Sequence, residues 1–371
     1  MKKIKIVKIA FVMSILLTTA ACGADAEKDR TIIKEPGKTI TVIDGTQEET
    51  EKPGVTIGKI NRLENMEIMD WLDEETVVVS KENTSLGKMS LLELSDSYPK
   101  SLYLYNINTG EFTLLKEKEN THLGGAVLSS DKKHLIYSEF DLGDPVYYVM
   151  DMATQKSFAI TGNGIGGAVS AKWADNETVI GASYSGGAYT ASVAGDIKAI
   201  EELDGTAPVI IAKIKNKIYF NTQYDGTLWM LNLDTGERAS LNLEYVYNVQ
   251  PSPDGSQMLI VYSSGSKTLL LLCDSQGANG KVLAEGADIG GVSWSDDQRM
   301  IAYSLKADVN GVTVNNLYLY DMLNGDSTQI AVNVGYSITS WSPSGKMLAY
   351  TLFDTSGSVS NIIYLQGEPG N

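Results

Sequence analysis

Seven times along the chain a short apolar strand runs into a tight polar turn and out into a second apolar strand. The clearest copies are Trp294-Ser295-Asp296-Asp297-Gln298-Arg299 before Met300-Ile301-Ala302-Tyr303, and Trp341-Ser342-Pro343-Ser344-Gly345-Lys346 before Met347-Leu348-Ala349-Tyr350. Aligned on the Trp position, the copies fall at Trp71, Leu128, Trp173, near Ala212, and at Pro251, Trp294 and Trp341. Asp, Asn and Gly recur in the turns, as in Ser130-Asp131-Lys132-Lys133 and Pro253-Asp254-Gly255. A tight hairpin needs left-handed backbone or side-chain-to-backbone bonding, which these residues supply.

A third strand follows in every unit, with residues 101–105 and 316–320 near copies of one another. A fourth, such as 112–115 or 328–332, closes the sheet. Apolar alternation between turn signals marks strands, and a period of roughly 40 residues with four short strands per unit predicts a β-propeller. The sequence therefore predicts an all-β, seven-bladed β-propeller. Six blades is the alternative, because the fourth unit lacks both the Trp and the Pro-Asp-Gly. The last unit reaches only its third strand, at 361–365, so residues 55–60 are expected to supply its fourth and close the ring. An insertion over 82–100 places Leu86, Met89, Leu91, Leu92 and Leu94 near helical spacing ahead of Pro99. It is expected to form a short amphipathic helix packed over one mouth of the ring.

The N-terminus reads differently. Lys2, Lys3, Lys5 and Lys8 precede an apolar run, 9–17, too short to span a bilayer as a helix. The following Thr18-Thr19-Ala20-Ala21-Cys22-Gly23 resembles a lipobox, although Thr19 stands where Leu is commonest. That resemblance implies cleavage before Cys22 and lipid attachment to its thiol. The chain would then be held through that lipid to the outer face of the cytoplasmic membrane, an extracytoplasmic site. A plain secretory signal with an incidental cysteine is the other reading. The expected organisation is a signal peptide over 1–21, a flexible acidic tether over 22–54, and a propeller over 55–371. Within the tether, 39–43 alternates well enough for a short strand.

Removal of 1–21 takes four of the 30 basic residues and none of the 46 acids, leaving 26 against 46, a net charge of −20. Phosphate neutralisation requires Lys and Arg, so nucleic acid is not an expected partner. Cys273 is the one cysteine besides Cys22, and no disulfide is expected between them. An exported chain without one must rest on its apolar core, and 43% hydrophobic residues can supply it.

Ser252-Pro253-Asp254-Gly255 and its counterparts resemble the PD40, or TolB-like, propeller repeat, and with the N-terminus the chain resembles the TolB-like lipoproteins of Gram-positive bacteria. The same repeat builds the propellers of prolyl oligopeptidase-like peptidases, so the resemblance implies a fold more than an activity.

Catalytic motifs are sparse. Only His122 and His134 are present, and no Gly-x-Ser-x-Gly, P-loop, EF-hand loop or dinucleotide fingerprint occurs. His and Cys are too few for a clustered metal site, and no cofactor is expected. The glycine-rich 162–167 reads as an inter-blade loop. Loops joining strands two and three, and loops joining successive blades, share one face of a propeller. Here that face would carry His122, Asp141, Asp144, Tyr184, Tyr224, Asp225, Tyr245, Tyr247, Asp288, Asp308, Tyr336 and Asp354. Tyrosine combines an apolar body with a polar tip, which suits peptide or sugar recognition at a rim. The favoured expectation is a non-enzymatic protein- or peptide-binding scaffold. The alternatives are a glycan-binding or glycan-degrading enzyme using carboxylates such as Asp225 and Asp308, and a solute-sensing accessory subunit of an envelope system.

Overall fold

The structure is a computed structural model that describes residues 30–35, 38–43, 55–160, 168–309, 311–335, 337–354 and 357–366. The chain divides into two units, Met1–Pro53 and Gly54–Asn371. In the first, Lys38–Ile43 pairs antiparallel with Arg30–Glu35, setting Ile40 opposite Ile33. The strand expected at 39–43 is present, and its partner went unread. The signal segment, Cys22 and the rest of the tether lie outside the described residues.

The second unit is a seven-bladed β-propeller, each blade a four-stranded antiparallel sheet in simple sequential order. The first strands are Glu67–Trp71, His122–Leu128, Ala168–Trp173, Pro208–Ile214, Val246–Pro251, Asp288–Trp294 and Ser337–Trp341. They are the inner strands, because residues from all seven line one central cavity. Each second strand is flanked by strands on both sides and covered by blades on both faces. Its sequence is accordingly a continuous apolar run rather than an alternation, as in the fully buried Val77, Val78 and Val79. The core is distributed. Among the described residues the buried apolar side chains form seven clusters, one at each junction of adjacent blades, from Val78 with Leu135 between the first two to Met347 with Val77 across the ring closure.

The weak fourth unit builds a complete blade, from Pro208–Ile214 through Lys217–Thr222 and Trp229–Asn232 to Arg238–Ser240. A two-residue turn with Lys215 at φ +55° replaces the longer Pro-Asp-Gly turn, so the strands pair without the signature. In four other blades the turn works through a serine after the anchor. Ser129, Ser252, Ser295 and Ser342 are buried, and their hydroxyls accept the backbone N–H five residues on, at 2.9–3.2 Å. Lys132, Gly255, Gln298 and Gly345 take the left-handed position in those turns.

Closure is as expected. Thr56–Glu64 pairs with Gly357–Gln366, setting Ile57 opposite Leu365 and Ile60 opposite Ile363. The last blade thus contains three late strands and one early one.

The helix expected over 82–100 does not form, and the segment holds one 3-10 turn, Leu92–Leu94. Short polar side chains bond the local backbone instead. Asn83 Oδ1 accepts from Ser85 N–H and Oγ, and the Ser95 and Ser97 hydroxyls bond the carbonyls of Leu92 and Leu94. Of the five apolar residues expected on that helix only Met89 is buried, while Leu92 is 84% exposed.

Candidate functional site

Each inner strand begins at one face of the ring and ends with its anchor at the other, and the second strand returns. Inner-strand starts and the loops between strands two and three therefore share a face, and the expected rim residues that are described all fall there. Their environments differ.

His122 opens the inner strand of blade two and is buried, its Nδ1 accepting the Lys100 backbone N–H at 3.2 Å and its ring tilted against Phe140. Burial, with the nearby Lys100 charge, lowers its pKa. His134, at a strand start, has Nε2 3.9 Å from Asp151 Oδ2. Several rim carboxylates are occupied by their own turns. Asp141 accepts from Gly143 N–H at 2.7 Å and Asp308 from Gly311 N–H at 2.7 Å. Asp225 accepts from Thr227 N–H at 2.9 Å and the Trp229 indole at 3.0 Å, and hydrogen bonds from Thr227 and then Trp229 hold its carboxyl below the usual range. Asp225 thus stands in a loop of the fourth blade, and Asp308 near the end of the second strand of the sixth. Asp144 is exposed. Asp288 borders a cavity of about 520 Å³ with Lys306, Asn315 and Gly335. Tyr336, the side chain of Asp354 and the 162–167 loop lie outside the described residues.

The tyrosines behave as a group. Tyr184, Tyr224, Tyr245 and Tyr247 occupy three consecutive blades, three to five, and are 46%, 87%, 63% and 60% exposed. Leu142 in blade two and Val209 in blade four extend the same arc with exposed apolar surface. Tyr245 is held at φ +52° with its backbone close against Gly226, where an added Cβ would stand 3.3 Å from the Tyr245 amide nitrogen.

The opposite face carries a second feature, unanticipated from the sequence. A cavity of about 810 Å³ opens among the turns that follow the anchors. The residue before the end of each inner strand lines it in all seven blades, as Asp70, Val127, Lys172, Lys213, Gln250, Ser293 and Ser340. A β-bulge interrupts six of these inner strands ahead of the anchor and re-aims the residues that follow. The wall is charged, with Lys132, Lys172, Lys213 and Lys215 set among Asp70, Asp175, Asp254 and Asp296. Lys172 and Lys213 stand on blades three and four; Asp70 and Asp296 stand on blades one and six, with Lys132 at 4.0 Å from Asp70 Oδ1. Burial raises the pKa of Asp70 against the pull of Lys132, and burial together with Asp70 raises that of Asp296. The signal that could have located this site is period-two alternation: a buried anchor implies that its predecessor points elsewhere.

No protein-family model matches the sequence, and no curated protein does. Solved structures do match. An oligogalacturonate lyase in complex with manganese aligns at a TM-score of 0.59 and 14% identity, over 83% of this chain and 91% of that one. The Cps50 (Swd1) β-propeller domain from Myceliophteria thermophila aligns at 0.58 and 11%, over 84% and 100%. TolB from Acinetobacter baumannii aligns at 0.47 and 14%, over 79% and 65%. At these identities the likeness shows the β-propeller fold alone.

Proposed function

We propose that this chain is a non-enzymatic binding module, a TolB-like lipoprotein held by lipid on Cys22 to the outer face of the cytoplasmic membrane. Its propeller takes a protein or peptide partner on the face bearing the exposed tyrosines. The observation carrying this reading is the arc of Tyr184, Tyr224, Tyr245 and Tyr247 on three consecutive blades. Exposed aromatic groups clustered on a rigid scaffold are typical of recognition surfaces, because little side-chain entropy is lost when they are covered. The net charge of −20 expected for the processed chain favours a basic partner and a salt-sensitive encounter. Tethered wild-type protein should capture a partner from envelope extract at low salt, and a Tyr224→Ala/Tyr245→Ala variant should not. Equal capture by both would remove the tyrosine arc from the reading. Failure of radiolabelled fatty acid to enter the wild type, or its entry into Cys22→Ser, would remove the anchor.

A glycan-acting enzyme is a second reading, to which the lyase match lends a shared fold. Turnover of acidic oligosaccharides that survives Asp225→Asn and Asp308→Asn would move any catalysis away from these two carboxylates, which already serve backbone amides.

A further inference from the structure

Lys172 lines the central cavity without an acidic partner. It sits in the inner strand of blade three and reaches across blade four to the inner strand of blade five. There its Nζ donates to the Val249 carbonyl at 3.3 Å and lies 3.5 Å from Asn248 Oδ1. Among the described residues no carboxylate lies within 4.0 Å of it, whereas Lys132 is 4.0 Å from Asp70 and Lys213 is 3.9 Å from Asp175. The residue is half-buried, and it lines the cavity. An ammonium so placed is costly without a counter-charge, and burial lowers its pKa.

We infer that the central cavity is a binding site for a small organic monocarboxylate, whose carboxylate pairs with Lys172. The pairing of these charges selects the class. Lys132 and Lys213 each have an acid at 4.0 Å or less and the exposed Lys215 acts on Asp254, which leaves Lys172 as the lining ammonium with no acid beside it. Asp70 and Asp296 on the far wall oppose a second negative charge, which disfavours a phosphate dianion. About 810 Å³ lies within the range of small-molecule sites, and Val127 and Ile338, 48% and 40% exposed on this wall, offer apolar contact to the body of the ligand. The site lies on the face away from the tyrosine arc and stands independently of the proposed partner.

A carboxylate could come from a uronic acid or from a peptide C-terminus, and the test separates them. Full-length protein is titrated calorimetrically with galacturonate against galactose, and with an acetylated dipeptide acid against its amide. At least one acid should bind saturably, with its neutral counterpart at least about tenfold weaker, the loss expected when a charge-assisted hydrogen bond is removed. The pair that shows the difference identifies the source. Lys172→Met should weaken binding by a similar factor while retaining the melting temperature, since an apolar chain of similar length replaces an unmatched charge. Tyr224→Ala should leave binding unchanged, so this result and that for the partner face are read separately. Absence of saturable binding by both acids, equal binding of acid and neutral forms, or unchanged binding in a folded Lys172→Met protein would overturn the inference. Should Lys172→Met not fold, the acid-against-neutral comparison on the wild type decides alone.

Discussion

Trp71 donates its indole Nε1–H to the carbonyl of Ser340, 3.2 Å away and 269 residues later in the chain. The bond joins blade one to blade seven, and the same bond recurs around the ring. Trp173 donates to the Val127 carbonyl at 2.9 Å, Trp294 to the Gln250 carbonyl at 3.4 Å, and Trp341 to Ser293 Oγ at 3.1 Å. Every anchor tryptophan hooks the inner strand of the preceding blade. The repeat signature therefore encodes contact between blades as well as the fold of each one. Trp71→Phe keeps an aromatic ring but loses the hook and some packing, and should destabilise the protein by about 1–3 kcal/mol in a denaturant titration. No change would mean that the ring holds without it.

Gly291 lies at the bulge in the inner strand of blade six, at φ +57°, where a Cβ would stand 3.0 Å from the Ser337 carbonyl oxygen. That oxygen belongs to the backbone of blade seven and cannot swing aside. Gly291→Ala should cost more than about 1 kcal/mol, measured by the same titration. Gly311→Ala, with φ +79° but open space around it, should cost less.

His122 gives the fold an acid sensitivity. Its Nδ1 must be unprotonated to accept the Lys100 N–H, and its pKa in the folded state lies below the ordinary 6.5. Between the folded value and 6.5 the unfolded chain binds more protons, so stability rises with pH there and falls on acidification. Wild-type stability should decline as pH drops below about 6.5, and His122→Asn should flatten that part of the profile. An unchanged slope would assign the decline to other groups.

On the tyrosine face, Tyr224 is 87% exposed and makes no core contact, so Tyr224→Ala should shift stability by no more than about 0.5 kcal/mol. A larger loss on unfolding would give this residue a structural role.

The strands, the blade count and the closing pair were legible because each rests on local pattern. Buried second strands read as apolar runs, and turns announced themselves through Asp, Asn and Gly. The fourth blade was the hard case, since Lys215 takes a left-handed conformation that neither Trp nor Pro-Asp-Gly marks. The 82–100 segment misled because leucine spacing suggested a helix while Asn83, Ser95 and Ser97 bonded their own backbone. Lys172 was invisible for another reason. Its meaning comes from Val249 in a different blade, and no spacing along the chain reports a cavity assembled from seven strands.

Placement of both faces and of the cavity depends on Thr56–Glu64 completing the blade built from Ser337–Trp341, Met347–Asp354 and Gly357–Gln366. Thermal melting of a protein lacking residues 55–64, set against the intact chain, measures this directly. The account predicts a melting temperature lower by at least about 5 °C, together with self-association through the bared edge of Gly357–Gln366. Identical melting of a monomeric, shortened protein would contradict it.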